Sequence, residues 1–145
     1  MYATAKGLGG GLPIGATLLG SKTASVLGFG DHGSTYGGNP VACAGALQVL
    51  ERLDEALLAD VRRKSEYVFA ALDGAAGIES VTGKGLMIGI QTTRPAGEVV
   101  RECIAKGVLC LTAKTKVRLL PALNIPDELL AEAIEVIKSV CKEGL

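Results

Sequence analysis

Apolar residues recur at helical spacing in two long segments of the chain. The last segment opens at Pro126-Asp127-Glu128, a sequence typical of a helix start, and is predicted to form an amphipathic helix. Its apolar side is formed by Leu129, Ala133, Val136, Ile137 and Val140. An earlier segment, 57–72, shows the same spacing and ends at Asp73-Gly74, so it is predicted to be a second helix.

Two further helices are predicted from their boundaries. Asn39 is a good N-cap and Pro40 suits the first helical position, so a helix is expected to begin there. The residues that follow, VACAGALQVLERL, are mostly small and apolar, which predicts a helix buried on several sides. Segment 96–106 is predicted to be helical as far as the glycine at Gly107.

Short apolar runs predict the strands. Segments 86–92, 108–113 and 117–121 have strand composition, whereas residues 1–38 are irregular apart from one strand expected within 12–19. Three short strands with helices after residue 80 indicate a small α+β layer. The fold class predicted from the pattern is therefore α+β.

The amino-acid composition argues against several classes of function. The chain has 145 residues, with 15 basic and 15 acidic side chains and no tryptophan, so neither a basic face nor a base-stacking surface for nucleic acid is expected. No apolar run is long enough to span a membrane, and the N-terminus does not resemble a signal peptide. We therefore expect a protein with no membrane or nucleic-acid partner.

The four cysteines do not form a metal motif. They have no CxxC spacing, and the only histidine is His32, so we expect no metal site. Free, buried thiols in a reduced, cytoplasmic setting are the interpretation that fits this pattern. The positions are Cys43, Cys103, Cys110 and Cys141.

Two glycine-rich segments match nucleotide-binding motifs in part but lack the neighbouring residues or helix that those motifs require. GFGDHG, at 28–33, matches a dinucleotide fingerprint, but the predicted helix begins only near Pro40 rather than within the motif. GATLLGSKT, at 15–23, approaches a P-loop, but Ser21 separates the last glycine from the lysine. His32 alone is interpreted as a structural loop residue, because a general base needs an oriented partner.

A lysine in a glycine-rich run and two hydroxyls ahead of a predicted helix are the remaining candidate functional features. Lys6 heads the glycine-crowded run AKGLGGGLPIGA, which places one amine against backbone with few side chains. The stretch HGSTYGGNP supplies the hydroxyls of Ser34 and Thr35 just ahead of a predicted helix start. Hydroxyls near a helix N-terminus suit a phosphate, although an ordinary capping turn has the same sequence.

These stretches resemble the class III pyridoxal-phosphate aminotransferases, most closely the acetylornithine branch with its ornithine and succinyldiaminopimelate relatives. AKGLGGGLPIGA, HGSTYGGNPVACAGALQVLE, GKGLMIGIQ and VRLLPALNI occur in the order and approximate spacing of that family. The resemblance covers the whole chain, and the first two motifs are the most specific. It implies the C-terminal small domain of a fold type I enzyme, with about three short strands, and a remnant of the large domain.

The resemblance also implies roles for individual residues. Lys6 matches the lysine that forms the Schiff base with pyridoxal phosphate, and its small neighbours would leave room for cofactor and substrate. Thr35 matches the threonine that contacts the cofactor phosphate across a dimer interface, and Ser34 lies close to phosphate or substrate. Arg118 matches the arginine that holds a substrate carboxylate, for which a planar guanidinium is well suited.

The implied division of the chain has three parts. Segment 1–38 is the large-domain remnant with the lysine and the phosphate loop, 39–73 forms connecting helices, and 74–145 is the small domain. The implied reaction moves an amino group from N-acetylornithine, or a related ω-amino substrate, to 2-oxoglutarate in a cytoplasmic homodimer. The ring-nitrogen partner, the stacking aromatic residue and most of the phosphate cradle are expected outside these residues, so the chain alone is expected to be inactive.

Two alternatives stay open at this stage. Residues 34–40 could serve a phosphate-ligand binding module that carries out no chemistry. The chain could also be a non-catalytic structural fragment that self-associates through Leu8, Leu12, Ile14, Leu18 and Leu19, which would be exposed in a monomer.

Overall fold

A computed structural model of the chain describes residues 1–143. These residues divide into two compact units, with the boundary between Glu55 and Ala56. Unit 1 is built from strands β1 (Tyr2–Thr4) and β2 (Ala16–Leu18), a 3-10 turn at Lys6–Gly9, and helix α1 (Pro40–Arg52). The boundary falls inside segment 39–73, the connecting helices of the sequence-based division. That three-part division stays a prediction, and its last two residues lie outside the described chain.

Unit 2 contains three helices and a four-stranded sheet. Its helices are α2 (Glu55–Leu72), α3 (Ala96–Ala105) and α4 (Asp127–Lys142). Its strands are β3 (Ile78–Lys84), β4 (Met87–Thr92), β5 (Leu111–Ala113) and β6 (Lys116–Leu119). All neighbours are antiparallel, in the order β3-β4-β6-β5, which confirms the predicted α+β class.

Unit 1 has little regular structure before α1, as predicted, but the single strand expected within 12–19 is a short pair instead. β1 and β2 pair antiparallel, with Tyr2 opposite Leu18, and every residue of both strands is exposed. α1 begins at Pro40, where the Asn39 side chain accepts hydrogen bonds from the N–H groups of Val41 and Ala42. The predicted start of this helix is therefore confirmed.

The prediction that α1 is buried on several sides is wrong. Only Ala42 and Ala46 are buried, whereas Val41, Leu47 and Leu50 are more than half exposed. α1 packs on the 3-10 turn along a narrow side, where Gly45 lies against Gly9 and Val49 lies against Gly10. Leu12, Leu18 and Leu19 are also exposed, as expected, while Leu8 and Ile14 are half-buried.

The core of unit 2 lies between one face of the sheet and its helices. Ile88 and Ile90 of β4 and Val117 of β6 are almost completely buried. They pack in one cluster with residues of α2, α3 and α4, among them Val68, Val99 and Ile137. Alternation along β4 and β6 therefore assigns an inner, apolar face and an outer, polar face to the sheet.

Two sequence expectations for unit 2 need correction. β3 was not predicted as a strand, because its IESVTGK sequence is mostly polar and exposed, as suits the edge of a sheet. The buried side of α4 is also rotated from the predicted one, since Leu129 is 55% exposed while its neighbour Leu130 is 4% exposed. The buried positions of α4 are Leu130, Ile134, Ile137, Val140 and Cys141.

Charged side chains tie the helices of unit 2 together. The Arg94 guanidinium pairs with Glu102 of α3 and donates to the Val140 and Glu143 carbonyls at the end of α4. The hydrogen bond from Arg94 holds the pKa of the Glu102 carboxyl below its usual range. Arg63 of α2 donates to Asp127 in the first turn of α4, 2.7 Å away. No helix among residues 1–143 is long and apolar enough to cross a bilayer.

Substitutions on α4 should separate the observed face from the predicted one. Ile134→Ala removes a side chain that is 1% exposed and should lower the free energy of unfolding by about 2–5 kcal/mol through lost burial and a cavity. Leu129→Ala, on the same helix but 55% exposed, should change it by about 0.5 kcal/mol or less. Urea denaturation followed by circular dichroism measures both, and equal losses would contradict the assigned face.

Candidate functional site

Lys6 lies in an unusual backbone conformation. It opens the 3-10 turn after β1 with φ of 56°, in the left-handed region that side chains other than glycine rarely adopt. Its side chain is exposed and makes no hydrogen bond or ion pair within the described chain. The positive φ therefore costs free energy that no hydrogen bond or ion pair of the Lys6 side chain offsets within the described chain.

The glycines after Lys6 allow two segments of backbone to pack closely. A Cβ on Gly45 of α1 would lie 2.9 Å from the Gly9 carbonyl oxygen, and one on Gly9 would lie 2.7 Å from Ile14 Cγ2. Gly10 ends the turn with φ of 61°. These glycines therefore fix the turn on α1, whereas a Cβ on Gly7 would meet nothing within 4 Å and leaves open space beside the lysine.

Ser34 and Thr35 lie in a tight turn ahead of α1. The Gly37 N–H donates to the Ser34 carbonyl at 3.2 Å, and the Asn39 N–H donates to the Tyr36 carbonyl at 3.3 Å. Both hydroxyls are exposed, and neither forms a hydrogen bond with residues 1–143. They are therefore available to a ligand.

The N-terminus of α1 is not itself a free anion site. The Asn39 carboxamide oxygen accepts from Val41 N–H at 3.0 Å and from Ala42 N–H at 3.2 Å, and Pro40 has no N–H. The sequence argument placed the phosphate at this helix start. A phosphate near this loop would instead rely on the two hydroxyls and the backbone of the turn.

The segment 28–33 forms a turn and not a nucleotide loop. The Gly28 N–H donates to the Asp31 carboxylate at 2.7 Å, and the first α-helix of the described chain begins at Pro40. His32 is exposed and has no hydrogen-bond partner among residues 1–143. Neither feature contributes an oriented catalytic group.

Arg118 lies on β6, on the outer face of the sheet in unit 2. Its neighbours Val117 and Leu119 are buried in the core, so the alternation places Arg118 on the opposite side. The Arg118 Nε is buried and has no hydrogen-bond partner. A buried guanidinium nitrogen normally has an acceptor, and an oxygen of an anion has the chemistry to satisfy this one. Lys6, Ser34 and Thr35 belong to unit 1.

Three cysteines of unit 2 are in its core. All four cysteines of the chain are free thiols; Cys103, Cys110 and Cys141 are buried as predicted, whereas Cys43 is only half-buried. Burial raises the pKa of Cys141 to about 11, and a hydrogen bond with Cys110 together with burial raises the pKa of Cys103. Within residues 1–143 no three His, Cys, Asp or Glu side chains are grouped to hold a metal ion.

A groove of about 710 Å³ opens elsewhere in unit 2. Its walls are mainly aliphatic side chains of α4 and of segments 106–109 and 119–126. None of the predicted site residues lines it, so it does not contribute to the chemistry considered above.

Comparison with known proteins identifies the family. A family model described as "Aminotransferase class-III" matches residues 1–141. The chain belongs to the class-III aminotransferases. The acetylornithine aminotransferase of Haemophilus ducreyi is 48% identical over 141 residues, covering 96% of this chain and 36% of that enzyme. The mitochondrial acetylornithine aminotransferase of Saccharomyces cerevisiae is 41% identical, covering 93% of this chain and 34% of that enzyme.

Solved aminotransferase structures share the fold. The N-acetylornithine aminotransferase of Stenotrophomonas maltophilia matches with a TM-score of 0.81 and 33% identity, over 95% of this chain and 38% of that one. The ornithine aminotransferase of Toxoplasma gondii, with partial occupancy of PLP at its active site, matches with a TM-score of 0.85 and 30% identity, over 97% and 36%. This class-III aminotransferase chain thus spans about a third of the length of its relatives.

The left-handed conformation of Lys6 can be tested without a cofactor. Lys6→Gly should stabilise the turn by about 1 kcal/mol, because glycine adopts positive φ without steric cost, whereas Lys6→Ala should not. Native-state hydrogen exchange of the Leu8 and Gly10 amides, which donate to Ala5 and Gly7, measures the change. We expect roughly fivefold slower exchange in Lys6→Gly alone; the same rate in both variants would contradict the strain.

Proposed function

We propose that this chain carries the reactive lysine, a phosphate contact and a carboxylate-binding arginine of a pyridoxal-phosphate-dependent transaminase of the acetylornithine type. The observation that supports this most strongly is Lys6, an unpaired amine in a left-handed backbone that neighbouring glycines fix on α1. A strained conformation at a residue with no structural contact of its own is explained by a role in chemistry.

The residues of unit 1 fit the cofactor. Lys6 would hold pyridoxal phosphate through its ε-amine, and the free hydroxyls of Ser34 and Thr35 would contact the phosphate or, for Ser34, the substrate. When bound, the cofactor supplies an electron sink for the carbon that exchanges its proton. Open space beside Gly7 leaves room for the lysine side chain to move.

Proton transfer and substrate orientation would be carried out by residues of the chain itself. Lys6 Nζ would accept a proton from the substrate and return it, a task that suits an amine close to the reacting carbon. Arg118 would orient the substrate by two parallel hydrogen bonds from its guanidinium to a carboxylate. Its buried, unpartnered Nε supports this role, because such an acceptor would satisfy it.

The proposed substrates, and the proposed need for further residues, are argued from the similar proteins. We propose N-acetylornithine, or a related ω-amino compound, as donor and 2-oxoglutarate as acceptor, in view of 48% identity to the Haemophilus ducreyi enzyme. Because that match covers 36% of the relative, transamination is proposed to need groups beyond these 145 residues, and the chain alone to be inactive. A homodimer and a cytoplasmic location complete the proposal, the latter supported by the free thiols.

A chimera tests the central role of Lys6. The 141 matching residues of the Haemophilus ducreyi enzyme are replaced by those of this chain, and transamination of N-acetylornithine with 2-oxoglutarate is measured. We expect activity in the chimera, and its loss by at least about 10³-fold in Lys6→Ala together with the visible absorbance of lysine-bound cofactor. Lys22→Ala, another exposed lysine of unit 1, is the control and should retain both. Near-normal turnover in Lys6→Ala would refute the assignment.

The phosphate contact has its own test in the same chimera. Thr35→Val removes a free hydroxyl and should raise the cofactor dissociation constant by about tenfold or more, since a hydrogen bond to a charged group contributes roughly 1.5–3 kcal/mol. Thr17→Val, at an exposed position of β2, is the matched control and should leave it unchanged. Equal dissociation constants for Thr35→Val and the parent, measured by equilibrium dialysis, would exclude this contact.

A further inference from the structure

Two of the buried thiols in unit 2 lie against each other. Cys103, in the last turn of α3, and Cys110, just before β5, are both buried and belong to the same core cluster. Their side chains form a hydrogen bond, with Cys103 as the donor and the Cys110 sulfur as the acceptor. Neither thiol has a role in the proposed transamination, so their chemistry is a separate property of the chain.

The backbone folds back on itself between the two cysteines. Beyond α3, Gly107 has φ of 90°, and the Val108 N–H donates to the Cys103 carbonyl at 2.8 Å. The Cys110 N–H then donates to the Val108 carbonyl at 3.2 Å, in a turn that leaves Leu109 86% exposed and Cys110 buried. This reversal returns Cys110 to the helix that carries Cys103, which is why the two sulfurs meet.

Cys110 is buried but lies close to the protein surface. It is flanked by Leu109 and Leu111, which are 86% and 55% exposed. The strand that follows, β5, has three residues and pairs only with β6, at the edge of the sheet. Short segments with few buried contacts open locally at a lower free energy than the whole domain. A small oxidant can therefore reach Cys110 without unfolding of the core.

The hydrogen bond makes the two thiols chemically unequal. Donation from Cys103 lowers the pKa of the Cys110 thiol, and the same hydrogen bond together with burial raises the pKa of the Cys103 thiol. Burial raises the pKa of the third core thiol, Cys141, to about 11. Since the thiolate is the nucleophile in cysteine chemistry, Cys110 is expected to react first and Cys103 to react with the product.

We propose that Cys103 and Cys110 form a redox modification site, at which hydrogen peroxide converts the two thiols to a disulfide. The Cys110 thiolate attacks one peroxide oxygen, so that an S–O bond forms and the O–O bond breaks. The hydroxide that leaves takes up the Cys110 proton and becomes water. The Cys103 sulfur then attacks the sulfenic sulfur of Cys110, the S–S bond forms, and the S–O bond breaks. The second hydroxide takes the Cys103 proton, so one peroxide is reduced to two waters and the two thiols together lose two electrons.

Peptide mass spectrometry of the 145-residue chain provides the test. The folded chain is treated with hydrogen peroxide, catalase removes the excess, and N-ethylmaleimide blocks the remaining thiols while the chain is unfolded in urea. Trypsin cleaves after Lys106 and separates peptide 102–106 from peptide 107–114, so the disulfide is detected as these two peptides joined. We expect this to be the main disulfide, with Cys141 blocked by N-ethylmaleimide.

Cys141→Ala is the matched control, because it removes a buried thiol of the same core cluster that lies outside the pair. It should leave the yield of the Cys103–Cys110 disulfide within about twofold of the parent yield, since Cys141 neither attacks peroxide nor resolves the sulfenic acid. Cys110→Ala should abolish the disulfide and leave Cys103 free to react with N-ethylmaleimide.

Dimedone, which traps sulfenic acids, tests the order of the two steps. Cys103→Ala should leave a sulfenic acid at Cys110, whereas Cys110→Ala should give at least about fivefold less dimedone adduct at Cys103, because Cys103 is the protonated partner. In concentrated urea the two variants should be labelled to within about twofold of each other, since the hydrogen bond is lost.

Three results would overturn the proposal. The first is a folded chain in which peroxide forms no Cys103–Cys110 disulfide, and the second is a chain in which Cys141 enters disulfides as often as Cys103. The third is equal dimedone labelling of the two folded variants, or the same inequality in urea, because either would show that the fold does not distinguish the two thiols.

Discussion

Burial of one face of the sheet is the constraint on which unit 2 depends. Ile88, Ile90 and Val117 must stay in the core that α2, α3 and α4 cover, and side chains of a strand alternate between faces. The same constraint therefore fixes Gly89 and Arg118 on the outer face. A slip of one residue in register would exchange the two sets and bury a guanidinium, so packing and site geometry are specified together.

The fold was predictable where the apolar pattern is strong. Helices α1 and α4 were expected at Pro40 and next to Pro126, and both begin there because a cap residue or proline marks the first turn. β3 was missed because an edge strand has little need of apolar residues, so its sequence lacks the alternation of a half-buried strand. The exposure of α1 could not be read from composition, since small apolar residues suit a narrow packed stripe as well as a fully buried helix.

The candidate site was only partly predictable from the sequence. Lys6, Ser34 and Thr35 were noticed from the glycine run and the predicted helix start, whereas their roles, and Arg118 altogether, came from the resemblance. The left-handed φ of Lys6 is a property of the backbone that the composition does not encode.

The reactivity of the buried cysteines reports whether unit 2 is closed or open. Cys103, Cys110 and Cys141 are buried in the packed core, where burial raises the pKa of the Cys141 thiol, whereas Cys43 on α1 is only half-buried. A thiol must be exposed to react with an alkylating reagent, so the three core thiols react only when unit 2 opens. The rate at which these three cysteines are alkylated in the folded protein therefore reports how often unit 2 opens, without any introduced label.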